Sequence, residues 1–172
     1  MFKKSIAVFL GVFIAVFLVS AMVVPSAQAY DEALAKKLNT VLIKGLSEGN
    51  WQVNADTVNS WIKEKKNDFL VVDVRPSIKM YKSGHVPGSI FIPYNQILKP
   101  ENLKKLPKDK KIVLYCVTGQ TQNLPVVALR ALGYDARVMS FGYTSWGKGY
   151  WGGGIMNKAM GNAARKNFPV EK

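Results

Sequence analysis

The stretch Lys111-Ile-Val-Leu-Tyr-Cys-Val-Thr-Gly-Gln-Thr121 decides the fold, because a mainly apolar run in it passes directly into a polar loop. The run at 111–115 is short and bordered by polar residues, which favours a strand buried on both faces of a sheet. Residues 122–132 follow with a helical pattern that ends at Gly133, and Pro125 falls in the first turn, where its missing N–H costs little. The order strand, loop, helix is typical of an α/β domain.

The same alternation extends along the chain. The segments with the pattern of short buried strands are residues 69–74, 90–92, 112–115 and 136–139. Helical stretches alternate with them, including residues 55–66, for which Asn54 is a suitable N-cap. Strands that alternate with helices pair in parallel. The sequence therefore predicts an α/β fold with a central parallel sheet flanked by helices.

Cys116 is the only cysteine of the chain and the strongest candidate for a reactive group. It lies where the predicted strand passes into the loop ahead of a helix N-terminus. Unpaired N–H groups and the helix dipole favour negative charge there, and the thiolate is the nucleophilic form of cysteine. The alternative is a buried structural cysteine, because free cysteine is one of the most frequently buried residue types.

Five motifs occur in an order that indicates a family resemblance. They are Phe69-Leu-Val-Val-Asp-Val-Arg-Pro76, Gly84-His-Val-Pro-Gly-Ser-Ile90, the segment 111–121, Leu129-Arg-Ala-Leu-Gly-Tyr134 and Phe141-Gly-Tyr-Thr-Ser-Trp146. Over residues 53–149 the chain resembles the single-domain rhodaneses, which are sulfurtransferases with one catalytic cysteine in a six-residue loop. The last motif is similar to a Gly-Gly-x-x-x-Trp segment of that family.

The resemblance implies a site built around this loop. Cys116 would be the catalytic residue and would carry sulfane sulfur as a persulfide, without a metal or an organic cofactor. Backbone N–H groups of the loop would stabilise the anionic sulfur, and Gly119 would permit a positive φ and a close backbone approach. The substrate-binding residues predicted on this basis are Val117, Thr118, Gly119, Gln120, Thr121 and Arg75.

The loop departs from the family in its charge. Many single-domain rhodaneses carry Arg at the sixth loop position or basic residues within the loop, whereas the sixth position here is Thr121 and the loop has no charged residue. A dianionic donor such as thiosulfate gains less from this loop, so a polysulfide or persulfide donor is an equal alternative. Phosphatases of the same fold class need an Arg that clamps the oxyanion. Gln122 occupies that position, which argues against phosphatase activity.

Arg75 and His85 have two interpretations each. Sites of parallel α/β sheets gather beyond the carboxyl ends of strands, so Arg75 either supplies a cation to the Cys116 loop or forms a local pair with Asp73. His85, the only histidine, either activates the thiol or stabilises the turn in which it lies, and we favour the structural role. One His and one Cys also disfavour a zinc site.

Residues 1–29 have the pattern of a signal peptide. Two lysines precede an almost wholly apolar run at 6–24, a proline interrupts it, and Ala27-Gln28-Ala29 is a small-x-small cleavage motif. We expect an exported, periplasmic chain that begins at Tyr30. The alternative is an uncleaved membrane anchor, because the apolar run approaches the length of a membrane span.

The rest of the chain divides into three segments. Residues 30–50 predict an amphipathic helix, and its apolar face comprises Leu34, Leu38, Val41, Leu42, Gly45 and Leu46. Residues 51–150 form the rhodanese-like domain. Residues 151–172 contain Gly152-Gly-Gly154 and are small, polar and basic, so they predict a flexible tail with at most a short helix at 155–164.

The chain is strongly basic. Its formal net charge is +13, and removal of residues 1–29 with their two lysines leaves 22 basic and 11 acidic residues, a net charge of +11. Such a surface attracts small anions and permits loose contact with an anionic membrane surface. Nucleic acid is not an expected partner, because the chain is predicted to be exported and has no recognised nucleic-acid-binding motif.

These observations predict an exported sulfurtransferase that moves a sulfane sulfur from a small donor, through Cys116, to a thiol or protein acceptor. One alternative is a non-enzymatic sulfur carrier or binding module that uses the same loop. Another is a scaffold whose thiol is inert.

Overall fold

The computed structural model describes residues 30–166 and 168–171. The predicted signal peptide at 1–29 lies outside these residues, and with it the choice between a cleaved segment and a membrane anchor. Among the residues that are described, no helix is both long and apolar enough to cross a membrane.

A five-stranded parallel sheet forms the centre of the described part of the chain. Its strands are β1 (Gln52–Val53), β2 (Phe69–Asp73), β3 (Ile90–Phe91), β4 (Lys111–Tyr115) and β5 (Asp135–Met139). Their spatial order is β1-β5-β4-β2-β3, and Leu114 of β4 lies opposite Val72 of β2 and Val138 of β5. The predicted α/β fold with a parallel sheet is confirmed, and β1 adds an edge strand that the sequence pattern did not indicate.

Helices cover both faces of the sheet. Those within the described residues are α1 (Glu32–Ser47), α2 (Ala55–Lys63), α3 (Ile78–Ser83), α4 (Pro100–Leu103), α5 (Asn123–Ala131) and α6 (Trp151–Lys166). Alternate side chains of β4 enter two cores: Leu114 packs in a cluster with Leu129 of α5, whereas Tyr115 packs in a cluster with Val58 of α2. The continuous apolar pattern of this strand therefore reflects burial on both faces.

The helix α1 packs on the domain through a narrower stripe than the one predicted. Gly45 is buried, and a Cβ placed on it would lie 3.1 Å from the ring of Trp51. Val41 packs on the adjoining core. The Trp51 indole approaches α1 at Gly45, where there is no side chain. This contact determines that the face of α1 with Val41 and Gly45 is turned towards the domain. Three members of the predicted apolar face are instead exposed: Leu34, Leu42 and Leu46.

Residues 151–166 form one continuous helix, α6, where the sequence predicted a flexible glycine-rich segment with at most a short helix. Gly152 is buried, and a Cβ placed on it would lie 2.3 Å from Oγ1 of Thr144 and 3.1 Å from Cγ1 of Val117. Tertiary packing here overrides the low helix propensity of glycine. The missing side chain permits the close contact between the helix and the segments beneath it.

Candidate functional site

Cys116 lies directly after β4 at the carboxyl edge of the sheet, and α5 begins at Asn123. Only 2% of its surface is exposed, and it packs in the core that contains Leu114 and Val126. The thiol thus occupies the strand–loop–helix position that the sequence predicted.

The loop after the thiol presents a row of free backbone donors. Within the described residues, the N–H groups of residues 117–122 donate to no protein acceptor. The loop also precedes the N-terminus of α5, where the helix dipole favours negative charge. Consecutive unpaired N–H groups in a tight loop form an anion-binding concavity. The loop is therefore a candidate anion-binding site next to Cys116.

Two glycines bring the loop against the segment that follows β5. Gly119 has a φ of +91°, and a Cβ placed on it would lie 2.9 Å from the backbone of Phe141. Gly142 has a φ of +57°, and a Cβ placed on it would lie 2.5 Å from the carbonyl oxygen of Cys116. The positive φ and the close backbone approach predicted for Gly119 are confirmed.

Hydrogen bonds tie the same segment to the first residues of the loop. The Tyr143 N–H donates to the Cys116 carbonyl at 2.8 Å, and the Thr144 N–H donates to the Val117 carbonyl at 3.0 Å. The Thr144 hydroxyl donates to the same Val117 carbonyl at 2.8 Å. These bonds hold the backbone that follows the thiol.

Gln122 orders the backbone of Cys116, a role that the sequence reasoning missed. Its fully buried side chain accepts a hydrogen bond from the Cys116 N–H at 2.8 Å and donates one to the Met139 carbonyl at 2.6 Å. The amide therefore links the loop to β5. In the sequence, Gln122 was distinguished only as the residue that stands where a phosphatase has Arg, and that position does not indicate a bond back to the thiol residue.

The remaining side chains of the loop are uncharged. The Thr118 and Thr121 hydroxyls and the Gln120 amide make no hydrogen bond within the part of the chain that the structure describes. Val117 faces α6, since its Cγ1 is the atom that a Cβ on Gly152 would approach. The loop residues named from the sequence therefore lie together, with three polar side chains open to a ligand.

Arg75, named from the sequence as a substrate-binding residue or as the partner of Asp73, is buried against Asp73. Its side chain is 1% exposed, and its guanidinium donates to the Asp73 carboxylate, the Gly84 carbonyl and the Tyr150 hydroxyl. Its Cζ also lies 4.4 Å from the centre of the Tyr143 ring. Burial opposes the charge, but the hydrogen bonds to Asp73 and Tyr150 hold the pKa of Arg75 above its ordinary value. A buried charge needs its partners, so this cation is used within the fold.

Tyr115 completes the buried network around Asp73. Its hydroxyl donates to the Asp73 carboxylate at 2.9 Å and accepts a hydrogen bond from the Val86 N–H at 3.2 Å. Burial raises the pKa of Tyr115 above its ordinary value, and the charge on Asp73 adds to that effect. The charges at the end of β2 thus belong to the interior.

His85 contacts Tyr81 of α3. The two rings stack with their centres 3.9 Å apart, and Nδ1 of His85 lies 2.9 Å from the Tyr81 carbonyl oxygen. These contacts agree with the structural role that we favoured from the sequence. Among the described residues, no three or more His, Cys, Asp or Glu side chains are grouped so that they could hold a metal ion.

The chain is thus an α/β protein with a thiol at the carboxyl end of a central parallel strand. An uncharged loop with free N–H groups follows this thiol. A sequence profile of the rhodanese-like domain matches residues 54–148. The chain belongs to the rhodanese-like domain family, as its motifs predicted.

Similar proteins carry sulfurtransferase names. Over 92 residues the chain is 34% identical to the probable adenylyltransferase/sulfurtransferase MoeZ of Mycobacterium tuberculosis, a match that covers 53% of this chain and 23% of that protein. Over 69 residues it is 38% identical to a tRNA sulfurtransferase of Desulfurococcus amylolyticus, covering 40% of this chain and 13% of that one. A rhodanese-like domain protein from Staphylococcus aureus has a similar crystal structure, with a TM-score of 0.50 and 28% identity over 56% of this chain and 90% of that one. The chain spans less than a quarter of these two curated relatives, and the similarity supports sulfur transfer in general.

Proposed function

We propose that this protein is an exported sulfurtransferase, in which Cys116 takes a sulfane sulfur from thiosulfate or a polysulfide and passes it to a thiophilic acceptor. The observation that carries the proposal is the row of free N–H groups at residues 117–122, directly after the thiol. A nucleophilic thiolate and the persulfide anion that it becomes both gain from such donors. A structural cysteine needs none of them.

The transfer consists of two displacements. The Cys116 thiolate attacks the sulfane sulfur of the donor, the S–S bond of the donor breaks, and its electron pair leaves with sulfite or with a shortened polysulfide. The acceptor then attacks the outer sulfur of the persulfide, and the electron pair of that S–S bond returns to Sγ of Cys116. Both displacements move negative charge between sulfur atoms at the loop. Backbone N–H groups that are already in place in the loop as hydrogen-bond donors would therefore lower the barrier.

The charge distribution favours polysulfides and persulfides over thiosulfate as donors. The loop has no charged side chain, and the guanidinium of Arg75 is bound to Asp73 and Gly84 within the fold. A dianion at this loop relies on backbone N–H groups and on the N-terminus of α5. A sulfur donor with less concentrated charge loses less binding free energy when the loop has no cation.

A non-enzymatic sulfur carrier is the second candidate, and the burial of the thiol favours it. With 2% of Cys116 exposed, collisions with small donors in solution reach the sulfur rarely. A buried persulfide suits transfer to a bound partner. The carrier and the enzyme share the Cys116 persulfide and differ in turnover.

Intact mass measurement tests both candidates. The protein is incubated with thiosulfate and, separately, with polysulfide. We expect a gain of one sulfur atom, more complete with polysulfide, and no gain in Cys116→Ser. Repeated transfer to cyanide supports the enzyme, whereas loading without repeated turnover supports the carrier. A folded wild-type protein that gains no sulfur from either donor contradicts both.

A further inference from the structure

A cavity of about 390 Å³ lies beside the Cys116 loop. Three consecutive loop residues, Thr118, Gly119 and Gln120, line it together with Phe141 and Met156. We propose that this cavity binds the organic chain of a thiol or persulfide substrate and that Phe141 is its recognition residue. The inference rests on the sulfurtransferase function proposed above and names a substrate class for the same site.

Phe141 occupies a backbone position that suits glycine. Its φ of 61° and ψ of 9° lie in the left-handed region, which is costly for a bulky residue. It also stands where the Gly-Gly-x-x-x-Trp motif has its first glycine. The side chain is 60% exposed. The backbone of Phe141 packs on Gly119, whereas its exposed ring contributes little packing to the fold. Contact with a ligand gives that ring a role.

The lining of the cavity is otherwise polar and uncharged. It includes the amides of Gln52 and Asn123 and the hydroxyl of Ser140. The Ser140 hydroxyl donates to the Gln52 side chain, and the Asn123 amide donates to carbonyls of the loop. The Gln120 amide and the Thr118 hydroxyl have no hydrogen-bond partner among the described residues. Amides and hydroxyls can hydrogen-bond the backbone of a peptide. In a chain of net charge +13, a cavity lined by no lysine or arginine fits a neutral organic chain better than an inorganic dianion.

The burial of the thiol determines which part of such a substrate reaches Sγ and which part stays at the surface. With 2% of Cys116 exposed, only the sulfur end of a substrate reaches Sγ, and the rest of the molecule lies along the surface beside the loop. In the acceptor direction, the thiolate of the bound chain attacks the outer sulfur of the persulfide and forms a new S–S bond. The S–S bond to Cys116 breaks, its electron pair returns to Sγ, and the product is an organic persulfide.

Acceptor competition in Phe141→Gly tests this inference. Sulfur-loaded wild type and variant are compared with cyanide, N-acetylcysteine amide and the peptide N-acetyl-Ala-Cys-Ala-amide, because cyanide has no chain that occupies the cavity. We expect the ratio of kcat/KM for the organic thiols to that for cyanide to fall about threefold to tenfold, the worth of one aromatic contact. A larger fall for the peptide indicates a protein acceptor, and equal falls indicate a free thiol.

Two further variants separate recognition from folding. Leu98→Gly is the matched control, because Leu98 is an exposed apolar residue of a turn outside the cavity, and we expect an unchanged ratio. Phe141→Ala keeps the Cβ in the left-handed region, so it should show the same ratio as Phe141→Gly but a lower Tm. A ratio that is unchanged in both Phe141 variants, or that falls equally in Leu98→Gly, overturns the inference.

Binding is measured without turnover in Cys116→Ser. Titration with the same peptide at millimolar concentration should shift the backbone amide resonances of Gln52, Gln120 and Ser140. Binding there without sulfur loading of the wild type supports the cavity and contradicts the sulfurtransferase. Loading with no shift at these residues overturns the cavity and leaves the sulfurtransferase standing.

Discussion

Gln122 and Cys116 are coupled through the backbone. The Gln122 side chain is fully buried, and its amide is the partner of the Cys116 N–H and of the Met139 carbonyl. A buried polar group without a partner costs about 1–3 kcal/mol. The conformation at the thiol therefore depends on a side chain six positions further along the chain.

Substitution of Gln122 should show this dependence as a loss of stability. Gln122→Met has a similar size but leaves the Cys116 N–H and the Met139 carbonyl without partners, so the free energy of unfolding should fall by about 2–6 kcal/mol. Gln122→Glu should depend on pH. A protonated Glu accepts from Cys116 and donates to Met139, and burial raises its pKa above the unfolded value of about 4.3.

That raised pKa fixes the sign of the pH effect. The stabilising contribution of the new carboxyl is complete below about pH 4.3 and is lost as the pH rises through the folded pKa. Urea unfolding at pH 4, 6 and 8 measures it, and Gln96→Glu at an exposed turn is the control. If Gln122→Glu differs from the wild type by the same free energy at all three pH values, the described hydrogen bonds are not those that hold Gln122.

Tyr115 should make the protein sensitive to alkali. Because burial raises the pKa of Tyr115, the unfolded chain releases this proton near about pH 10 while the folded chain keeps it. The contribution is complete below about pH 10 and is lost above it, by up to about 1.4 kcal/mol per pH unit. Urea unfolding at pH 8, 10 and 11 should therefore show a shallower decline for Tyr115→Phe than for the wild type.

Exposed Tyr30 provides the control for this measurement. Tyr30→Phe should follow the wild type at every pH, since that hydroxyl is in water in both states. Parallel declines in the wild type and in Tyr115→Phe would count against the buried network around Asp73.

At the scale of elements, α6 and the segment after β5 hold the Cys116 loop together. Tyr143 and Thr144 donate to the carbonyls of Cys116 and Val117, and α6 packs on Val117 and Thr144 at Gly152. A helix with three consecutive glycines is intrinsically weak. Its contact with the loop is therefore a tertiary interaction that one added methyl group can break.

Substitutions of two glycines two positions apart in α6 should have opposite effects. Gly154→Ala should raise the free energy of unfolding by about 0.5–1 kcal/mol, because a Cβ there meets nothing within 4 Å and alanine favours a helix. Gly152→Ala should lower it by about 1–3 kcal/mol, because the Cβ meets Thr144 at 2.3 Å. Thermal unfolding followed by circular dichroism decides, and an increase in Tm for both variants would show that α6 does not rest on the loop.

The helix α1 is bound to the same domain by a side chain of α5. Arg130 forms ion pairs with Glu48 and Asp135, and its Cζ lies 4.7 Å from the centre of the Trp51 ring. Since Trp51 belongs to the core, these contacts make α1 a structural part of the described domain.

At the scale of the whole molecule, the N-terminal segment and the net charge predict where in the cell the protein acts. Residues 1–29 carry the cleavage motif, and the chain that follows keeps a large excess of lysine and arginine. A basic surface is attracted to anionic lipid, and salt screens that attraction. Export and loose membrane contact are therefore compatible predictions.

N-terminal sequencing of the protein from its native host should find Tyr30 as the first residue. The periplasmic fraction should contain it, and any portion on membranes should be released by about 1 M salt, at which the Debye length is about 3 Å. A chain that keeps Met1 and stays in the membrane fraction after the salt wash supports the anchor and contradicts cleavage.

Much of the site could be read from the sequence, because it is built from consecutive residues. Cys116 and the five residues after it are placed by the end of one strand and the start of one helix, and both elements have local patterns. The glycine at position 119 predicted its own backbone conformation, since a positive φ and a close backbone approach favour a glycine. Local order along the chain was sufficient for these features.

The sequence by itself determined the parallel α/β fold, the position of the thiol and the family, because hydrophobic periodicity and contiguous motifs are local properties. Only the tertiary structure decided that Arg75 is buried against Asp73, that Gln122 holds the Cys116 N–H and that Gly152 seats a helix on the loop. Each of these depends on which side chains meet across the fold. A local pattern shows that a residue is polar or small, whereas its partner is set by the packing of distant segments.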